Sequence, residues 1–454
     1  MTRGLALAVT VGAIFAAVAS RFPVNDSDVF WQLQVGRWTL EHRALYTHDT
    51  LSATLAGAGV PVNQWLGQVL LWVAFAAGSW WGILALRVVS VFVIATVTMW
   101  AAIARASRPA IAATAAFPGL ALSRFVWADR PELLNLVLFA IFAPLALAAR
   151  GGDRRAQVAL VPLMALWTNI HGGFVVAVVL LVALGFEAAL FAEPPRRRAF
   201  LGFAALAILA TFLNPLGPAV YASPQWHFAN APRFIQEWGV PDVTTFPGLL
   251  FATTLLGVLA LAALTAPARS ADVAMLAPLT FLSLSALRHM PLFALAAAPF
   301  LAERISLLLP RLGSRVAARE PWALALPLAG VVLVASLATA PRDPDLSGYP
   351  TGALAALHAK SGALFNDYDW GGFLTWYAPE HPVFIDGRLE PYVPRVLDDY
   401  RDAIGAHPGW SAVLDRWHID LVLVRPASAL AVRLQESGWT SLYRDDDTVL
   451  LSRR

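Results

Sequence analysis

Residues 22–65 read FPVNDSDVFWQLQVGRWTLEHRALYTHDTLSATLAGAGVPVNQW and follow directly on the first apolar run. The stretch carries two acids at i and i+2, Asp26 and Asp28, then Trp31, Gln32, Glu41, His42, His48 and Asp49. Its surroundings are hydrocarbon-compatible. The chain is 58% hydrophobic and 14% charged, against roughly 25% charged in soluble domains. It is therefore read as an integral membrane protein, in which so polar a loop is the natural place for chemistry. There is no cysteine, which excludes a disulfide, a thiolate nucleophile and a Cys-ligated metal. The basic residues are almost all Arg, in short clusters between apolar runs, as membrane topology requires. A nucleic-acid surface would need an uninterrupted basic stripe, so no nucleic-acid partner is expected.

The first run, 4–21, reads as an uncleaved helix whose Arg3 holds its start cytoplasmic, so the loop behind it faces outward. Val29 to Glu41 suits an amphipathic helix, with Phe30, Leu33, Val35 and Trp38 apolar and Gln32, Arg37 and Glu41 polar. Residues 64–78 are apolar but too short for a bilayer core of roughly 30 Å. They read as an interfacial helix with Trp65, Trp72, Trp80 and Trp81 at headgroup depth. Spans then fall at 84–104, 110–123, 133–149, a hairpin over 156–192, 199–213, 248–268, 272–287, 290–307 and 322–340. The Arg clusters at 105 and 108, at 150, 154 and 155, at 196–198, at 269, and at Arg304, Arg311, Arg315 and Arg319 close these spans on the inside. With the first helix this makes about eleven spans, N-terminus in and C-terminus out, some short enough to need a thinned or protein-lined environment.

From residue 341 the composition turns soluble. Short apolar runs at 363–365, 382–385, 419–424 and 448–451 read as strands, alternating with helical patterns at 351–360, 394–405, 409–417 and 427–436. The expected fold class is thus an α-helical polytopic membrane protein with a small extracytoplasmic α/β domain at its C-terminus. The expected domains are 1–340, with an outer loop over 22–82, and 341–454.

Asp26 and Asp28 can share a divalent cation with diphosphate oxygens, or one of them can take a proton from an acceptor hydroxyl. The structural alternative is an N-cap for the helix starting at Val29. No other cofactor is indicated. His48 and Asp49 can orient phosphate or carry protons; the alternative is a turn with a solvated His. Arg124, Arg130 and Glu132 fall at an outer membrane edge, where Arg suits bidentate phosphate contact or simple snorkelling. Asn169 and His171 break an apolar hairpin, and polar groups at membrane depth point to function. Glu237 sits in a second outer loop over 214–247, and Arg288 and His289 in a turn where topology needs no charge. Placement of these groups on one face suits an anionic, lipid-linked substrate.

These features resemble the GT-C superfamily of membrane glycosyltransferases. The likeness is to the bacterial branch with the protein O-mannosyltransferases, lipid A aminoarabinose transferases and RgtA/B/C/D-like proteins. It rests on the acid after the first helix (Asp26 or Asp28), the folded outer loop, Leu86-Arg87-Val88-Val89-Ser90 opening the second helix, and the turn from Arg124 to Glu132. In that superfamily the acid is held to be the catalytic base, and donors are polyprenyl-phosphate sugars. The usual Asp-Glu pair is Asp-Ser-Asp here, so which Asp acts stays open. Asn366-Asp367-Tyr368-Asp369-Trp370-Gly371-Gly372 faintly resembles the acceptor motif of oligosaccharyltransferase catalytic subunits, without its Trp-Trp. Asp367, Tyr368, Asp386 and Arg388 are therefore candidates for acceptor binding or site closure.

The resemblance implies an inverting hexosyl or pentosyl transferase in the cytoplasmic membrane. Its donor would be a polyprenyl-phosphate sugar used at the outer face, with membrane lipids as its other partners. The alternative is a lipid-linked glycan transporter, or a non-catalytic cell-envelope assembly factor, on the same scaffold.

Overall fold

The computed structural model describes residues 3–309 and 322–453. Arg311, Arg315 and Arg319 of the expected inner cluster lie outside the described residues. The chain divides into two compact units: Met1–Pro23 with Gly78–Arg342, and Val24–Ala77 with Asp343–Arg454. The segment 24–77 thus shares a unit with the C-terminal region rather than with the helices that flank it in sequence.

The first unit is helical. All eleven segments expected to span are helices, from Arg3–Ala19 to Trp322–Ala338. Among the described residues six helices are long and apolar enough to cross a membrane: Trp65–Ile103, Pro109–Val126, Pro131–Arg150, Phe174–Phe191, Phe246–Leu264 and Leu287–Leu308. Pro194–Phe212 and Gly217–Arg233 add a seventh if their 94° bend is one broken span. Gly4–Ala19, Ser270–Ser285 and Ala325–Ala338 are apolar but shorter, so length and composition alone give six or seven spans rather than eleven.

Packing in this unit follows small residues. Helix Met290–Leu308 lies against Pro109–Ser123, where a Cβ on Gly119 would come within 2.9 Å of the Ala294 carbonyl. Backbones approach this closely only over small side chains. Phe186, Leu190 and Val331 are by contrast mostly exposed, as expected of lipid-facing positions. Three of the Arg side chains at the helix ends assigned inward find acids: Arg105 pairs with Asp272 at 2.7 Å, Arg150 with Glu187, and Arg269 with Glu303 at 3.2 Å.

Trp65–Ile103 is interrupted at Gly78 and Ser79, where Ser79 takes φ +53°. The apolar run that was too short to span thus ends at the boundary between units. Residues 214–247 are not an open loop. They hold a 3-10 turn Gly217–Tyr221, helix Ala222–Asn230 and two further turns.

The second unit carries a four-stranded sheet of order β1-β2-β4-β3. Its strands are β1 (Ala363–Asn366), β2 (Ile419–Val424), β3 (Thr440–Arg444) and β4 (Val449–Ser452). β1 and β2 are parallel, and the other pairs antiparallel. Helix Val29–His42 belongs to this unit and buries Val29, Phe30, Leu33 and Val35 as its spacing predicts. Gln32, expected on its polar side, is also buried. β3, half exposed, was not foreseen, nor was helix Gly371–Tyr377. The helix expected over 351–360 is only a 3-10 turn, Thr351–Ala353, and Leu354–His358.

The expected strand at 382–385 does not form. Val383, Phe384 and Ile385 are fully buried, so the apolar pattern is real. Their backbone is satisfied without a ladder. The buried Asn366 side chain accepts from the Phe384 amide at 2.7 Å and donates to the Ile385 carbonyl at 2.9 Å. Val383 exchanges bonds with Leu51 and Ala53, and Thr54 donates to the Phe384 carbonyl at 2.6 Å. Two side chains and one isolated backbone bridge to Ser52 stand in for a neighbouring strand. Asn366→Ala should therefore orphan two buried backbone groups, each worth about 1–3 kcal/mol. A clear fall in melting temperature of the purified protein is expected.

Candidate functional site

In the helical unit, polar groups from five segments meet. Pro131–Arg150 begins with Pro at its first turn, the favoured place for it, and carries Glu132 in that turn. The Glu132 carboxylate is buried and accepts from Arg288, from His171 Nε2 at 2.9 Å and from Asn135 at 3.2 Å. His171 Nδ1 accepts the Gly173 amide at 2.9 Å, which assigns the proton to Nε2 and aims it at Glu132. Asn135 in turn accepts the Trp167 indole N–H at 2.8 Å. The second acid, Glu237, is on the 3-10 turn Gln236–Trp238. Its two oxygens meet Arg288 at 3.2 Å and Arg130 at 3.3 Å. The Arg288 guanidinium lies over the Trp238 ring, 4.8 Å from its centroid. Burying charge without partners is prohibitive; here two Arg, two Glu and a His satisfy one another. The arrangement places two guanidinium groups on the partly exposed Glu237, with the buried Glu132 holding Arg288 from behind.

In the second unit, Asp28 occupies the position before helix Val29–His42 but its side chain makes no capping bond. Its Oδ1 accepts the Trp31 indole N–H at 3.0 Å, and Asp26 Oδ1 accepts the Asp28 amide at 2.9 Å. Asp26 therefore shapes the turn. The turn is flush against two glycines: a Cβ on Gly387 would fall 2.0 Å from Asp28 Oδ1, and one on Gly372 would fall 2.4 Å from the Ser27 carbonyl oxygen. Tyr349 and Tyr368 are pushed above the ordinary phenol range by burial. The aspartate field adds to this, from Asp26 and Asp28 at Tyr349 and from Asp28 and Asp386 at Tyr368. Both phenols stay protonated beside these carboxylates.

Behind Gly387, Arg388 is buried between Asp386 and Asp49. It donates to Asp386 at 2.6–3.0 Å, to Tyr392 at 2.9 Å and to Asp49. Burial opposes the Arg388 charge, but Asp386, Tyr392 and Asp49 hold its pKa well above its usual value. Burial likewise raises Asp49, yet Arg388 and the Ser52 hydrogen bonds outweigh it and keep the carboxyl below its ordinary range. Among the described residues no three His, Asp or Glu side chains are grouped to hold a metal ion.

No family model and no curated protein matches the sequence. Solved structures do resemble it. The Archaeoglobus fulgidus oligosaccharyltransferase tethered to an acceptor peptide with the NVT sequon aligns over 99% of this chain and 74% of its own, with TM-score 0.58 and 12% identity. ArnT from Cupriavidus metallidurans bound to undecaprenyl phosphate aligns over 99% of this chain and 97% of its own, with TM-score 0.57 and 14% identity. The fold is shared with these two structures along nearly the whole chain. At these identities the likeness is one of fold.

On this fold the structure brings Arg130, Glu132, His171, Glu237 and Arg288 into one cluster, from stretches more than 150 residues apart. His289 adjoins it, with Nδ1 on the Leu282 carbonyl at 3.1 Å. Arg124 and Asn169 take other partners. Arg124 lies on the Phe22 ring at 4.0 Å, and Asn169 donates to the Ala165 and Leu213 carbonyls at 2.7 and 2.9 Å. His48 is exposed and bonded to Thr47 at 2.9 Å, while Asp49 is buried in the Arg388 network. Asp367 is held by Arg425 at 2.6 Å. Asn135 and Trp167 had no sequence signal, since each sits in an ordinary helical pattern.

Arg388→Met would leave Asp49 and Asp386 buried without their cation, a loss of about 3–5 kcal/mol. The Asp49 pKa is lowered on folding, so in the parent its contribution is full above about pH 4 and lost as pH falls further. In the variant the unpaired acids gain from protonation. The difference in melting temperature between parent and variant should therefore be largest at pH 7 and narrow toward pH 4.

Proposed function

We propose that the chain is an inverting GT-C glycosyltransferase of the cytoplasmic membrane. It moves a sugar from a polyprenyl-phosphate donor to an acceptor at the outer face. The observation that supports this most is the fold, shared along nearly the whole chain with an oligosaccharyltransferase and with a structure that holds undecaprenyl phosphate. N-terminus in, C-terminal region out and about eleven spans belong to the same proposal.

The roles follow from each unit's own groups. Asp28 is the preferred base, because Asp26 spends an oxygen on the Asp28 amide while Asp28 is fixed by Trp31. A base poised this way removes the acceptor proton as the glycosidic bond forms. Inversion follows because one displacement at the anomeric carbon, with no covalent sugar–enzyme intermediate, reverses its configuration. If a divalent cation takes part, Asp26 and Asp28 are its carboxylates, with donor phosphate oxygens completing the shell. Arg288 and Arg130 suit the phosphate, whose charge grows as the sugar leaves. His171 and Glu132 hold Arg288 in place. Asp367 and Tyr368 remain candidates for the acceptor, and Asp386 and Arg388 for closure through Gly387.

The test is conversion of polyprenyl-phosphate sugars to polyprenyl phosphate by the purified protein, with envelope extract as acceptor. The doubly substituted Asp26→Asn, Asp28→Asn protein should be about 10²–10⁴-fold slower with unchanged expression. Asp26→Asn alone should cost less than Asp28→Asn alone. Undiminished turnover in the double variant would rule the base out.

A further inference from the structure

The Glu237 carboxylate differs from its neighbour Glu132 in every respect that bears on exchange. Glu132 is 9% exposed and held by Arg288, His171 and Asn135. Glu237 is 38% exposed, stands on a three-residue turn, and touches only Arg130 and Arg288 among the described residues. Its contacts, 3.2 and 3.3 Å, are long for charge-assisted hydrogen bonds, which lie at about 2.7–2.9 Å. Each of its two oxygens serves one guanidinium.

A third donor is present. The Trp238 indole N–H, one residue along the same turn, is buried and meets no acceptor among the described residues. A buried donor left unpaired is costly unless a ligand completes it. The Trp238 ring already lies under the Arg288 guanidinium. The turn is tied to the Arg288 turn through the Leu287 amide, which donates to the Gly239 carbonyl at 2.9 Å. Glu237 as it stands holds the two guanidinium groups and leaves the indole N–H unmet. A phosphate ester presents three terminal oxygens, one for each donor.

We infer that Glu237 holds the seat of a phosphate ester, which displaces its carboxylate from Arg130 and Arg288 and takes the Trp238 N–H as a third hydrogen bond. The inference rests on the phosphate role proposed above for the two arginines. The exchange leaves Arg130 and Arg288 in place, with Glu132 keeping Arg288 oriented. It makes Glu237 a competitor that an anion must outbid, and Trp238 a binding residue.

The experiment is calorimetric titration of the full-length protein in detergent with farnesyl phosphate, and separately with inorganic phosphate. Glu237→Gln, which keeps the shape and removes the competing charge, should bind about fivefold or more tighter than the parent. Trp238→Phe, which keeps the ring and removes the N–H, should bind about tenfold more weakly. Arg130→Gln should weaken binding in any case. The same pattern with inorganic phosphate would show that the seat reads phosphate alone; the pattern with farnesyl phosphate only would show that the lipid chain contributes. If Glu237→Gln binds no tighter, or Trp238→Phe binds as well as the parent, the exchange is overturned while the Arg130 effect keeps the phosphate role. If the parent and every variant bind neither probe, both readings fall together.

Discussion

Glu132 has to be neutralised where it stands. A carboxylate at the start of an apolar helix, nearly shielded from solvent, is tolerable only with cations and donors around it. Arg288 and His171 come from the starts and ends of other helices to meet it, and Asn135 supports it from one turn along. That requirement draws together the ends of four helices and the 236–238 turn. The two acids of the cluster are not equivalent: one is locked from within, and the other faces partly outward on a short turn.

The second unit solves the same problem with Arg388. A buried guanidinium between Asp49 and Asp386, with Tyr392 closing the ring, ties the 43–64 stretch to the C-terminal region. Two residues earlier in the chain than Arg388, the backbone is pinned by Asp386; one residue earlier, Gly387 presses against Asp28. The structural ion network and the candidate base are therefore mechanically linked. No side chain at 387 separates the two.

Much of this was legible in the chain. The apolar runs gave the helices, since burial or lipid contact demands uninterrupted hydrocarbon over each turn. The short run at 64–78 ends at Gly78 and Ser79, as its length suggested. Arg130, Glu132, His171, Glu237 and Arg288 stood out because charge is expensive in such surroundings. Asn135 and Trp167 did not, because an amide or an indole on a helix raises no comparable alarm. The 382–385 run misled for a physical reason: alternation and hydrophobicity report burial, and a buried segment need not be in a sheet when Asn366, Leu51, Ala53 and Thr54 supply its hydrogen bonds.

The sequence by itself determined which segments are helical and apolar, where the soluble composition begins, and which polar residues are costly enough to need a purpose. Those properties are local, set by side-chain hydrophobicity and charge within a few turns. Only the tertiary structure decided that residues 24–77 share a unit with 343–454, that Asp49 is spent on Arg388, and that Glu237 bridges two arginines beside an unpaired indole N–H. Partner choice among charges is a matter of distance in space. It is fixed by how helices and turns far apart in the chain come to pack, which no local pattern records.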